Sequence, residues 1–236
     1  MTHPFLRAHW RDLLLLTYPV PDDLALPLVP SGCDADRWGG RCHVSLVALR
    51  MERVRIRGIA VPGLTAYPQV NLRLYLRHAG RAAVRFVQEM VPSRLLAAAA
   101  RRLYGEPFRA GPIRARMDER NGEYLAEYTF GLDQPRWRVA VRADLHAEVP
   151  GTGTFDHWVK ERVRGCRPDR SGRLHTFDVA HPPWAIRPVT AVELQVDFAA
   201  LYGAAWASLN EVQPDSIISA VGSDVTVSAA TVSTSR

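Results

Sequence analysis

Apolar and polar residues alternate with a period of two along most of this chain, the pattern of strands whose two faces meet different surroundings, and it commits the chain to a mainly β fold. The pattern predicts strands over residues 13–20, 43–56, 69–78, 82–91, 108–117, 123–130, 136–145, 173–180, 188–198 and 216–227. Pro19 and Pro21 stop the first of these, and Ala79-Gly80-Arg81 joins residues 69–78 to 82–91 as a hairpin. Asn121-Gly122 is a turn signal between 108–117 and 123–130. Two helices interrupt the alternation. Residues 93–104 have Ser93 as N-cap, an apolar stripe of Leu95, Leu96, Ala99 and Leu103, and Gly105 as the stop. Residues 154–164 put Phe155, Trp158, Val159 and Arg162 on one stripe. Pro21-Asp22-Asp23 opens a shorter helix through Val29, its acids near the positive end of the dipole. No stretch has linker composition, so residues 1–227 read as one domain and 228–236, mostly small and hydroxyl residues, as a flexible tail.

Charge and cysteine content narrow the function classes. The formal charge is +6, but of 30 basic residues only Lys160 is a lysine, a skew that reflects GC-rich bacterial coding better than selection for phosphate contacts. The arginines are scattered from Arg7 to Arg187 with acids between them, which argues against a nucleic-acid partner. Three cysteines, Cys33, Cys42 and Cys166, without CxxC spacing support neither a disulfide framework nor a structural zinc site. Cys42 and His43 are adjacent in a strand, point to opposite faces and do not share a metal. No metal and no cofactor is expected, since GxSxG, HExxH and GxGxxG signatures are absent. The start lacks an apolar core of signal-peptide length and Leu13 to Leu16 is too short to span a bilayer, so the expected location is the cytoplasm, with no membrane partner; an oligomer is left open.

Several segments in order resemble the YqjF-like family, a domain family of unknown function within the acetoacetate decarboxylase-like superfamily. They are Trp10-Arg11-Asp12-Leu13-Leu14, Leu28-Val29-Pro30, Asn71-Leu72-Arg73-Leu74-Tyr75 and Ala100-Arg101-Arg102-Leu103-Tyr104-Gly105. Phe155-Asp156-His157-Trp158, Glu161-Arg162 and His181-Pro182-Pro183-Trp184 complete the set, so the similarity runs from about residue 9 to residue 227. The resemblance implies a β-rich α+β fold, an acetoacetate decarboxylase-like β-barrel or sandwich with a few peripheral helices and an interior small-molecule cavity. Decarboxylases of that superfamily use a Schiff-base lysine after a Gly-Phe-Pro motif and a carboxylate on the strand before it. The corresponding stretch is Gly105-Glu106-Pro107-Phe108-Arg109, without lysine, and the strand carboxylate is replaced by Gln69. An arginine stays protonated and cannot serve as the nucleophilic amine, so acetoacetate decarboxylase activity is not expected.

The candidate ligand-binding residues follow from this. Gln69, Asn71, Arg73 and Tyr75 share one face of a strand, opposite Val70, Leu72, Leu74 and Leu76. Turned inward, that face offers two carboxamides, a fixed cation and a phenol, a set suited to a small organic anion; turned outward it is an ordinary solvated face. Arg109, in the stretch of the missing lysine, joins the set. Arg162 shares the stripe of Phe155 and Trp158 and needs a buried partner: a ligand anion, an acid such as Glu127 or Asp178, or backbone carbonyls. His181 is a possible acid or base, although a histidine beside two prolines is more often structural, and Trp184 either stacks on a ligand or packs on a sheet. Glu123 and Glu127 read as a solvated sheet edge. Three functions stay open: binding of a small organic anion without Schiff-base chemistry, acid–base catalysis on a keto acid or related carbonyl, and a structural or protein-interaction role with no ligand.

Overall fold

The computed structural model describes residues 4–233. The strands in chain order are β1 (Leu6–Val20), β2 (Asp34–Ala35), β3 (Cys42–Ile56), β4 (Tyr67–His78), β5 (Arg81–Val91), β6 (Phe108–Ala110), β7 (Ile113–Arg120) and β8 (Glu123–Phe130). They continue with β9 (Trp137–Asp144), β10 (Arg164–Pro168), β11 (Leu174–Ala180), β12 (Ile186–Arg187), β13 (Val189–Gln195), β14 (Ser216–Val227) and β15 (Thr231–Val232). Four α-helices are interspersed among these strands: α1 (Asp22–Ala25), α2 (Arg94–Tyr104), α3 (Phe155–Lys160) and α4 (Phe198–Tyr202). Among the described residues no helix is long and apolar enough to cross a membrane.

In the larger sheet the hydrogen-bonded order is β14, β1, β3, β4, β5, β10, β11, and β11 pairs with β14 again through Val179–Val227 and Ala180–Thr226. The path of strands therefore returns to its start and encloses an interior. A second, antiparallel sheet of order β13, β9, β8, β7 covers one outer side. This two-layer arrangement explains why strands such as Leu13–Leu16 of β1 are apolar on both faces. Val70, Leu72 and Leu74 of β4 join Leu14, Leu16, Val44 and Leu46 in a core shared with Tyr128, Phe130, Val139 and Val141 of the second sheet. Leu13, Leu15, Val47, Leu49 and Met51 point the other way and form a separate inner core with Phe177, Trp184 and Val225.

Irregularities at two levels of three neighbouring strands bend this sheet, Asp12 and Gly222 at one and Arg53, opposite Ala8, at the other. Asp12 in β1 has φ 55°, Arg53 in β3 has φ 51° and Gly222 in β14 has φ 89°. At Gly222 a Cβ would lie 1.9 Å from the Trp10 carbonyl oxygen, so glycine alone fits. Each bulge shifts the alternation by one residue: Leu6 and Ala8 precede Asp12 on the inner face, and Leu13 and Leu15 follow it there. Asp12 is held by the second sheet, since the Tyr124 hydroxyl donates to its Oδ1 at 2.6 Å and the Tyr128 hydroxyl to its carbonyl at 2.7 Å.

Four expected elements differ. Residues 108–117 break at Gly111-Pro112, so that β6 pairs with β5 and β7 crosses to the second sheet. The helix expected over 154–164 ends at Lys160, because Arg164 and Gly165 are taken up in pairing with Ala83 and Val84. Residues 188–198 end as a strand at Gln195, and Asp197 caps α4 by accepting from the Ala200 N–H at 3.1 Å. In α2 Ser93 and Gly105 cap as expected, but Leu95 is 74% exposed and the buried residues are Leu96, Ala97 and Ala100; the Leu103 side chain lies outside the described residues. Glu123 and Glu127 lie on an interior strand of the second sheet rather than at an edge, with Glu127 paired to Arg138 at 2.6 Å. Within the stretch read as a tail from residue 228, β15 pairs with His175 and Thr176, and residues 234–236 lie outside the described part.

Candidate functional site

β4 is paired on both sides, to β3 and β5, and its even-numbered side chains are committed to the core under the second sheet. Strand geometry then turns Gln69, Asn71, Arg73 and Tyr75 into the enclosed interior. They are 8, 4, 7 and 0% exposed, which excludes a solvated face. Gln69, Asn71 and Arg73 line a cavity of about 130 Å³ whose walls are otherwise largely apolar, including Leu13, Val47, Leu49, Phe86 and Phe177. Leu96, Ala99 and Ala100 of α2 close one side of it. An enclosed space of about 150 Å³ admits a molecule the size of benzene, so this one suits a ligand of about six to eight non-hydrogen atoms.

The polar groups divide between two ends. Arg73 Nη2 donates to the Val159 carbonyl of α3 at 3.0 Å, its guanidinium lies 5.5 Å from the Tyr75 ring centroid, and its Nε has no partner. Among the described residues no carboxylate pairs with it. Gln69, four residues back along β4 and thus about 13 Å away at the backbone, marks the other end. There Gln69 Nε2 donates to Glu89 Oε2 at 2.5 Å, and Glu106 lines the same space with both carboxyl oxygens unpartnered. Burial pushes the Glu106 carboxyl up to about 8, against the opposing pull of Arg167, 3.9 Å away, and of Arg85. Burial likewise raises Glu89 well above the carboxylate range, reinforced by Glu106 and opposed by the Gln69 amide. Both shifts favour the neutral form of the acid. The Asn71 Oδ1 and Trp10 Nε1 atoms on the cavity wall are also buried without a partner.

Beyond Arg73 the interior is filled. Tyr75 is hydrogen-bonded to Ser45, which bonds Thr17 at 2.7 Å, so the phenol is spent on structure. Trp158 of α3 packs 4.6 Å from Tyr75, and Phe155, Trp38 and His43 stack around it. Arg162 lies 4.1 Å over the Trp158 ring and 4.6 Å over Tyr75, and is paired with Asp36 rather than with Glu127 or Asp178. It does not line the cavity.

The remaining candidates lie elsewhere. Arg109 is exposed, because alternation in β6 turns Phe108 to the cavity and Arg109 away from it. His181 is half-buried, stacked on Trp184 at 4.2 Å, with Nδ1 2.9 Å from the Pro182 carbonyl, and does not line the cavity. Trp184 packs in the inner core and donates from Nε1 to Ser223 Oγ at 2.8 Å, outside the cavity wall. Lys160 is buried and paired with Glu161, away from the cavity.

Sequence reasoning missed the acid pair. Strict alternation in β5 puts Glu89 opposite Phe86, but a bulge opposite Leu72 and Arg73 inverts the later residues, so that both line the cavity. For Glu106 a signal was present: it stands at the middle of Gly105-Glu106-Pro107, where the decarboxylase motif has phenylalanine. Gly105, with φ 66°, makes room for its neighbour, since a Cβ there would meet the Arg167 guanidinium at 2.6 Å.

A returning path of strands around a cavity, backed by a second sheet, is the acetoacetate decarboxylase-like fold. The chain superposes on an acetoacetate decarboxylase from Legionella pneumophila with TM-score 0.63 at 14% identity, over 99% of this chain and 88% of that one. It superposes on the enduracididine biosynthesis enzyme MppR, complexed with the condensation product of pyruvate and imidazole 4-carboxaldehyde, with TM-score 0.65 at 13% identity, over 98% and 90%. An acetoacetate decarboxylase-like enzyme from Sphingomonas wittichii RW1 gives TM-score 0.63 at 13% identity, over 100% and 95%. In sequence the chain is 26% identical over 190 residues to the uncharacterized protein YqjF of Bacillus subtilis, covering 79% of this chain and 76% of that protein. The chain belongs to the DUF2071 family, described as an uncharacterized conserved protein, whose profile matches residues 7–224.

Proposed function

We propose that this protein binds a small organic anion in the interior cavity, without Schiff-base chemistry. The observation that carries the reading is Arg73, a buried guanidinium on the wall of an enclosed space with no carboxylate partner among the described residues. An uncompensated buried charge is costly, and a ligand carboxylate offsets it with paired hydrogen bonds. Nearby Arg162 and Asp36 neutralise each other and leave the charge of Arg73 in excess. MppR, of the same fold, is complexed with a condensation product of pyruvate, which is consistent with an organic acid in such a cavity.

A thermal-shift screen of three- to six-carbon carboxylates tests this. A ligand at a hundred times its dissociation constant adds about 2.7 kcal/mol, which raises the melting temperature of a chain this size by about 5–10 °C. Arg73→Met abolishes the shift while remaining folded by circular dichroism. A shift of equal size in Arg73→Met places the ligand elsewhere and overturns the reading. Borohydride treatment with pyruvate or acetoacetate is expected to leave the intact mass unchanged, because the Lys160 ammonium is buried and ion-paired away from the cavity. A covalent adduct on Lys160 restores the Schiff-base enzyme.

A further inference from the structure

The acid end of the cavity has no role in holding an anion, and two ionised carboxylates there would repel one. Glu106 is 3% exposed, neither of its oxygens accepts a hydrogen bond from the described residues, and Arg167 Nε stands 3.9 Å from Oε1. Glu89 sits beside it in the ladder, its N–H bonded to the Pro107 carbonyl at 3.1 Å and its carboxyl to Gln69. We propose that ligand binding is linked to a proton: Glu106, as the neutral acid, donates to an oxygen acceptor at the far end of a monocarboxylate held by Arg73, and loss of that proton expels the ligand. This rests on the reading that Arg73 takes the carboxylate. It names the ligand class more closely, as a short chain with an anionic head and a neutral acceptor at its other end. The strand register sets the division, since Gln69 with Glu89 marks one end of the lining face of β4 and Arg73 the other.

The charged and titratable groups facing Glu106 are Glu89 and Arg85 from β5 and Arg167 from β10, with Cys166 beside it. Tyr67 and Gln69 of β4 face Glu89. Burial raises the Tyr67 phenol, and the hydrogen bond with Cys33, reinforced by burial, raises the Cys166 thiol, so both stay protonated through the working range. Cys33, whose thiol is lowered by its hydrogen bond with Cys166, also lies near this end, and a Cys33→Ser background removes it. Between pH 6.5 and 9.5 the proton that matters is then that of the acid pair.

Titration calorimetry with 4-oxopentanoate and pentanoate, at pH 6.5, 8.5 and 9.5, tests the proposal on the whole chain. Affinity for 4-oxopentanoate falls about tenfold between pH 8.5 and 9.5 in the wild-type protein, as a single proton linkage above the Glu106 titration requires. The keto acid binds at least fivefold more tightly than pentanoate at pH 6.5, and Glu106→Gln flattens the pH profile. Measured in buffers of different ionisation enthalpy, binding takes up close to one proton at pH 9.5, about three-quarters of one at pH 8.5 and almost none at pH 6.5, a readout that needs no variant. Tight binding with no proton uptake at any of these pH values overturns the linkage and leaves Arg73 as the anion site. No binding of any carboxylate at pH 6.5 overturns both.

Discussion

Glu106→Gln is expected to raise the melting temperature at pH 8.5 and to leave it nearly unchanged at pH 4.5. A glutamate in an unfolded chain titrates near 4.3, whereas burial moves the native Glu106 to about 8. Below the unfolded value both states are protonated and burying the neutral acid carries no electrostatic penalty. Between the two values the native state holds a proton that the unfolded chain has released, so stability falls as pH rises, by about 1.4 kcal/mol per unit. Above pH 8 the loss is complete and levels off. The window between these two values makes the penalty on the order of 5 kcal/mol. Glutamine occupies the same volume and has no proton to lose. The measurement is the difference in melting temperature between variant and wild type at each pH, which removes titrations common to both. A difference that stays constant from pH 4.5 to 8.5 would show that the native carboxyl titrates in the ordinary range.

Asp36→Ala is the second large effect, and it has the opposite sign. Arg162 is 4% exposed, paired with Asp36, and covered by the rings of Trp158 and Tyr75. Removing the carboxylate leaves a cation under two aromatic rings with no counterion, and breaking such a buried pair costs about 3–5 kcal/mol. Urea unfolding reports this as a lower midpoint with an unchanged slope. The double change Asp36→Leu with Arg162→Met recovers most of the loss, because the cost lies in the stranded charge and not in the absence of the pair. A loss below about 1 kcal/mol for the single variant would mean that Arg162 reaches water or a second acid.

The strands were legible in the sequence because their two faces are buried in different ways. The even residues of β4 meet a second sheet and the odd residues meet the cavity, so that Gln69, Asn71 and Arg73 interrupt an otherwise apolar run at regular spacing. Periodicity alone favours a solvated polar face, and the family resemblance only brings the inward reading level with it; the burial of both faces decides it. The partner of Arg162 was not legible. Asp36 follows the two-residue β2, whose pairing with Arg77 and Leu76 brings it across 126 positions of sequence. The acid pair was hidden for a different reason. A single extra residue in β5 reverses which side chains face in, and nothing in the local composition around Val87 announces it. Arg109 failed as a site residue by the converse logic, since regular alternation in β6 gives the cavity Phe108 instead.

The side of the cavity formed by α2 differs in kind from the rest. Most of the remaining wall belongs to strands locked to their neighbours by ladder bonds, with Leu64 and Glu106 contributed by loops. Ala99 and Ala100 project from a helix of three turns that is not part of that lattice. A larger or smaller side chain at Ala99 or Ala100 thus changes the capacity of the chamber on this side, which Leu96 completes. A lineage that needed to admit a bulkier or slimmer guest has a dial at those two positions, and turning it leaves the architecture untouched.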